Sequence, residues 1–294
     1  MPALTIALTR HKEPDWLLNL ALESVARQQE VRAKVHVLDQ SFHKATKEFC
    51  EGLCSESVVF EYHVIPPKGC SYARNVAIRL CRTDILLWTD PDMVLASDWA
   101  CCLARTLINK QCAIVGGKII PRWHGSPGWY MRSNIMTDQY SLIDLGQGEI
   151  ATDRVVGGSL GINLKQMGKD AYFDENLGRK DETLLGGVDS EFCERAILNS
   201  FKVYYTGRTV AQHQILESRM NLNWISRKFY YSGLTRAIRG RRPSAMNKKW
   251  GIIDCVVLGG FTPSYMTGFL AGLLKKKGMS KPSGSVWPND VLVR

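Results

Sequence analysis

Two aspartates stand two residues apart in Thr89-Asp90-Pro91-Asp92, directly after the apolar run at residues 85–88. Carboxylates at the end of a buried strand are costly to place without a partner. A divalent cation is the natural partner, and hard oxygen ligands suit Mg2+ or Mn2+. Such an ion would hold a nucleoside diphosphate and neutralise it as it leaves. The plainer alternative is a turn carrying two solvated acids.

Chemistry of that kind needs elements that bring distant residues together. Short apolar runs at residues 3–8, 34–38, 58–64, 85–88, 113–119, 155–162 and 202–205 read as strands. Helical periodicity covers residues 16–28 behind Asp15, 72–80 behind Ser71, 97–109, 189–198 and 222–238. Strands alternating with helices imply a mixed, mainly parallel sheet flanked by helices. In such sheets ligands bind beyond the carboxyl ends of the strands. Thr9, Asp39 and the Asp90–Asp92 turn all fall at such ends and are therefore expected on one edge. Residues 121–148 are long, aromatic and irregular, as functional loops often are.

The chain has 294 residues, 45% of them apolar and 22% charged, enough for a sizeable core. Its net charge of +10 is uneven, because residues 217–294 hold 14 Lys/Arg against three acids. The expected division is a catalytic domain over 1–216, with a nucleotide-binding half to about residue 120 and an acceptor half beyond it. A helical, basic extension follows over 217–294. Such a segment suits an anionic surface. Residues 252–274 are apolar but interrupted by Asp254, Gly259, Gly260 and Pro263, whereas a membrane span needs about 20 unbroken apolar residues. Two short helices are expected there, lying in a membrane interface or packed on the main domain, and closed by Lys275–Lys277. Nine cysteines without zinc-type spacing read as reduced thiols. The N-terminus enters a strand directly without a secretion-signal pattern, so the expected setting is cytoplasmic, peripheral on the inner face of the membrane.

The run KGCSYARNVAIRLCRTDILLWTDPDMVLASDW, residues 68–99, resembles the donor-binding segment of the family 2 glycosyltransferases, which have the Rossmann-like GT-A fold. Ala73-Arg74-Asn75 opening a helix, the strand at 85–88 and Asp90–Asp92 carry the likeness, which extends roughly over residues 3–215. The resemblance implies a nucleotide site formed by Thr9, Asp39, Arg74 and Asp90, with Asp92 and His213 ligating Mn2+ or Mg2+. An ionised Asp39 suits the donor N–H of uracil or guanine, because a carboxylate only accepts; its alternative role is a cap or turn. Val156-Gly157-Gly158-Ser159-Leu160 matches a Gly-rich strand beside the transferred sugar, with Gly158 as the close approach; a simple bulge is the alternative. Asp189 matches the catalytic base, and N-capping of the following helix is compatible with that. The usual preceding Glu is Val188, so Glu191 is expected to take over part of the acceptor contact.

These correspondences imply an inverting enzyme that moves one sugar from a nucleotide-diphosphate donor, a UDP-sugar favoured, to a hydroxyl of a glycan or glycolipid. The Gln-x-x-Arg-Trp motif of processive members is missing from the sequence. Nucleic acid is not an expected partner. Two rival readings are a basic membrane- or nucleic-acid-binding adaptor and a sugar nucleotidyltransferase; residues 5–13 contain no glycine for the phosphate loop the latter needs.

Overall fold

The computed structural model describes residues 3–241 and 252–276. A nine-stranded sheet forms its centre. The first half alternates β1 (Ala3–Arg10), α1 (Asp15–Ala26), β2 (Arg32–Asp39), α2 (Lys44–Gly52), β3 (Val58–Val64), α3 (Cys70–Leu80) and β4 (Ile85–Thr89). β3, β2, β1 and β4 lie side by side and parallel. β4 reads Ile-Leu-Leu-Trp-Thr and is buried throughout, as a strand covered by helices on both faces must be. It delivers the Asp90–Asp92 turn at its carboxyl end.

The second half turns the chain back. β5 (Met93–Leu95) leads to α4 (Trp99–Asn109) and β6 (Ile114–His124); α5 (Asn134–Gln139), β7 (Glu149–Ala151), β8 (Ser159–Asn163) and α6 (Leu164–Met167) follow. α7 (Val188–Leu198) and β9 (Val203–Leu216) close the sheet. The strand order is β3-β2-β1-β4-β8-β6-β9-β5, with β7 also on β9. β8 is antiparallel to both β4 and β6. β5 pairs antiparallel with β9 so that Met93 faces His213. That register sets the residue after Asp92 against the histidine eleven residues into a fourteen-residue strand.

Two apolar clusters cover the faces of the sheet. One holds Leu18, Leu22, Trp99 and Leu103 from α1 and α4; the other holds Ala73, Val76 and Phe192 from α3 and α7. All nine cysteines are free, and burial raises the Cys50, Cys112 and Cys193 thiols to about 12.

The fold departs from the sequence expectation in several places. α2 lies in a stretch for which no element is expected. β6 and α5 take up part of the irregular residues 121–148, and the last strand runs on to Leu216. The N-cap of α3 is Gly69, at φ +96°; Ser71 instead donates to the Leu177 carbonyl (2.8 Å). The apolar tail is one helix, α9 (Ile252–Lys276), running through Pro263. It packs along α8 (Leu222–Ile238) with the backbones in close approach. A Cβ on Gly233 or Gly268 would collide with the carbonyl of Tyr265 or Tyr230, respectively. Phe229 stacks on Phe261 at 4.9 Å. Asp254, buried, fixes the start of α9 by accepting from Ser133 Oγ (2.7 Å) and from the Asn134 amide (2.8 Å). The expected closing run reaches Lys277, which lies outside the described residues, as does most of the basic stretch beyond Arg241.

Candidate active site

The carboxyl ends of β1 and β4 open into a cleft of about 990 Å³ lined by Thr9, Arg74, Asp90, Asp92, Asp189 and His213, together with residues of α8 and α9. Thr9 Oγ1 donates to the Leu38 carbonyl (2.9 Å) and accepts from Gln40 Nε2 (3.2 Å). Gln40 in turn accepts from the Gly69 amide (3.0 Å), so the ends of β1 and β2 are tied to the start of α3.

Asp92 and His213 meet as the β5–β9 register requires. The Asp92 Oδ2 to His213 Nε2 distance is 3.3 Å. His213 Nδ1 lies 2.8 Å from the Tyr140 carbonyl, to which it can only donate, so in the neutral ring Nε2 carries the lone pair a metal would take. Arg219 also meets Asp92, donating from Nη1 to Oδ2 at 2.8 Å. Burial alone would raise the Asp92 carboxyl; His213 and Arg219 outweigh it and hold it far below the carboxylate range. The carbonyl behind His213 is the outer-shell partner that ligating histidines carry, so the pair fits a divalent cation. Asp90 turns the other way. It accepts from Trp88 Nε1 (3.0 Å) and stands 3.7 Å from Arg74, and burial raises its carboxyl despite that guanidinium.

Asp189 lies in the first turn of α7, whose N-cap is Gly187, at φ +85°. It does not cap the helix. Its Oδ2 accepts the Gly157 amide (2.9 Å), and its Oδ1 pairs with Arg74. Arg74, on α3, is buried over the rings of Trp88 and Phe173, each 5.2 Å away. It stands between Asp90 and Asp189.

Three expectations need correction. Asp39 is fully buried and is not offered to the cleft. Its carboxylate accepts from the Ser41, Phe42 and His43 amides, from Ser41 Oγ and from Tyr62 Oη (2.5 Å). Five donors saturate its lone pairs, and it shapes the turn after β2. Glu191 points away from the cleft and pairs with Arg195 (2.8 Å), one helical turn on. Gly158 is not the glycine facing the site: a Cβ there would meet Met93, whereas one on Gly157 would overlap Arg74 and come within 2.7 Å of Asp189 Oδ1.

The sequence reading also missed a group of cations. Arg179, Arg219 and Lys228 all line the cleft. Burial, then the charges of Arg179 and Arg219, lower the Lys228 amine to about 7. The Arg179 guanidinium is lowered by burial and by Arg219. For Arg219 and Lys228 the signal lay in the basic surplus after residue 216, read as facing outward; part of it turns inward.

The sequence pattern of glycosyl transferase family 2 matches residues 6–163, more than half the chain. The chain belongs to that family. The match leaves no ground for the adaptor or the nucleotidyltransferase. The transferase also superposes on solved structures at low identity, which speaks for the fold. It covers 94% of its length on GalNAc-T7 with UDP, GalNAc and Mn2+ (TM-score 0.57, 15% identity, 57% of that chain). It covers 95% on the mannosyltransferase PcManGT from Pyrobaculum calidifontis with GDP-Man and Mn2+ (TM-score 0.59, 14% identity, 76% of that chain). On S. aureus TarS it covers 91% (TM-score 0.51, 12% identity, 44% of that chain). The transferase thus spans little more than half of the first of these. No curated protein sequence matches it. These likenesses agree with a GT-A-type α/β sheet carrying C-terminal helices.

Proposed function

We propose that the transferase moves a single sugar, with inversion, from a UDP-sugar to a hydroxyl of a glycan or glycolipid. Asp189 is the general base in this reading. The observation that carries it is Arg74 bridging Asp90 and Asp189, which sets the paired-aspartate turn and a second carboxylate in one cleft. Arg74 pairs with Asp189 Oδ1, and the Gly157 amide fixes the orientation of Oδ2. Each carboxylate oxygen retains accepting capacity for the incoming hydroxyl. Attack opposite the leaving diphosphate inverts the anomeric carbon.

Asp92 and His213 are the residues that would hold Mn2+ or Mg2+, with Asp90 alongside. The ion would neutralise charge on the departing diphosphate. Arg179 and Arg219 add positive charge to the same cleft, and Lys228 adds more below about pH 7. The Mn2+ bound by GalNAc-T7 and by PcManGT supports the assignment by analogy.

α9 supports an acceptor at a membrane surface. Leu258, Thr262, Tyr265 and Met266 line the cleft, while Val256, Leu270, Leu273 and Leu274 are exposed. The stretch Ile253–Lys275 is long and apolar enough to cross a bilayer, but its packing on α8 and its share of the cleft favour lying in the interface. The favoured setting is cytoplasmic, against an anionic inner leaflet.

Thermal-shift measurements with UDP, GDP, CDP and dTDP, each with Mn2+, test this reading, because a ligand stabilises the state it binds. The largest rise is expected with UDP. A larger rise with GDP would change the donor, and no rise with any of the four would contradict the reading.

A further inference from the structure

A second cluster of ligating side chains stands away from the cleft, where β2 meets β3. β3 is the edge strand of the sheet. The parallel register pairs His36 with Glu61, and His63 follows Glu61 by two residues, so all three side chains leave the same face. His36 Nδ1 lies 2.9 Å from His63 Nε2 and 3.4 Å from Glu61 Oε2; His63 Nε2 lies 3.8 Å from the same oxygen.

We propose that His36, Glu61 and His63 form a zinc site that clips the edge strand β3 to β2. A tetrahedral zinc with bonds of about 2.0–2.1 Å holds its ligand atoms about 3.3–3.4 Å apart. The three separations bracket that value. Two neutral imidazoles and a carboxylate are the donors zinc prefers, and water completes the fourth position on the exposed side of Glu61.

The cluster is under-satisfied without a cation. His36 Nδ1, His63 Nε2 and Glu61 Oε2 can all accept, and one N–H between the imidazoles serves a single pair. The other His36 nitrogen, Nε2, is buried with no hydrogen-bond partner among the described residues, so within them the ring's polar contacts are this cluster alone. Lys34 donates to Glu61 Oε1 at 2.7 Å, which leaves Oε2 turned to the histidines as an outer-shell partner would. An imidazole without an outer hydrogen bond loses about 10–100-fold in affinity, so binding weaker than at a fully supported zinc site is expected.

The site braces the nucleotide-binding half. Tyr62, between Glu61 and His63, donates to Asp39, which orders the turn after β2. The clip thus acts where that turn is held, and among the described residues β3 has no strand on its outer side.

The test uses the full-length protein, stripped by chelator and titrated with Zn2+ or Co2+ alone. One equivalent is expected to bind at this site, with the intense visible bands of tetrahedral Co2+ and a Tm raised by several degrees. His63→Gln and Glu61→Gln should each weaken binding at least tenfold. Their Tm in chelator should match that of the wild type in chelator, which separates lost binding from misfolding. Asp92→Asn should leave the bands unchanged. Missing bands, or bands that survive His63→Gln and Glu61→Gln but vanish in Asp92→Asn, would overturn the proposal.

Discussion

Arg219 Nη1 donates to Asp92 Oδ2 at 2.8 Å while standing 3.5 Å from His213 Nε2, so one guanidinium sits against both atoms that fit a divalent cation. Arginine and ion therefore compete for the same charge. Replacing Arg219 by Gln should tighten Mn2+ binding to the nucleotide-free protein by about tenfold, since like charges nearby disfavour each other. It should also weaken UDP binding, because a diphosphate partner is lost. Titration of Mn2+ followed by its electron spin resonance, with and without UDP, reads both effects.

Gly157 and Gly158 make different demands. A methyl on Gly157 lands on the Arg74–Asp189 pair, which neither residue can leave without breaking the bridge. A methyl on Gly158 meets the flexible end of Met93. Gly157→Ala is expected to lower kcat by about 10²-fold, the scale of a misplaced reacting group, while the fold persists. Gly158→Ala should cost much less. Steady-state kinetics with circular dichroism would show the contrast.

Lys228 gives a pH dependence whose sign follows from its lowered amine. Below about 7 the side chain is charged and attracts diphosphate; above it the charge is lost. UDP affinity should fall as pH rises from 6 to 8, by up to about tenfold per unit of bound-state shift. Lys228→Met should bind UDP weakly with this part of the slope removed. Calorimetric titrations at several pH values would check it.

The exposed face of α9 should meet lipid. Leu270→Glu with Leu274→Glu places two acids on surface that is 58% and 73% exposed. Sedimentation with anionic vesicles is expected to drop severalfold while thermal stability stays near the wild type. Unchanged pelleting would assign membrane contact elsewhere.

What could be read from the sequence follows from where its signals are local. β4 and the Asp90–Asp92 turn are legible because a four-residue apolar run must be buried and the acids must then emerge. His213 is legible only by likeness, since the β5–β9 register that brings it to Asp92 is a long-range pairing. Asp39 misleads because a carboxylate at a strand end suits a ligand and a turn equally; the five donors around it decide, and three of them are backbone amides. Gly157 and Gly158 lie in the turn before β8 and abut different neighbours, so choosing between them needs the geometry of that turn. α9 runs through Pro263 because packing on α8 offsets the amide bond that proline removes. The inward cations Arg219 and Lys228 lie in a segment whose net charge suggests a surface, and charge alone does not say which way a helix faces.

The central claim is that Asp189 deprotonates the acceptor while Asp92 and His213 hold the ion that serves the diphosphate. Release of nucleoside diphosphate from UDP-sugars with a lipid-linked acceptor, with and without Mn2+, should be compared for the wild type and Asp189→Asn, alongside UDP–Mn2+ affinity. The account predicts Mn2+-dependent release by the wild type, a fall of about 10²–10⁴-fold in Asp189→Asn, and donor binding unchanged within about threefold. Full turnover by Asp189→Asn, or loss of donor binding together with turnover, would contradict it.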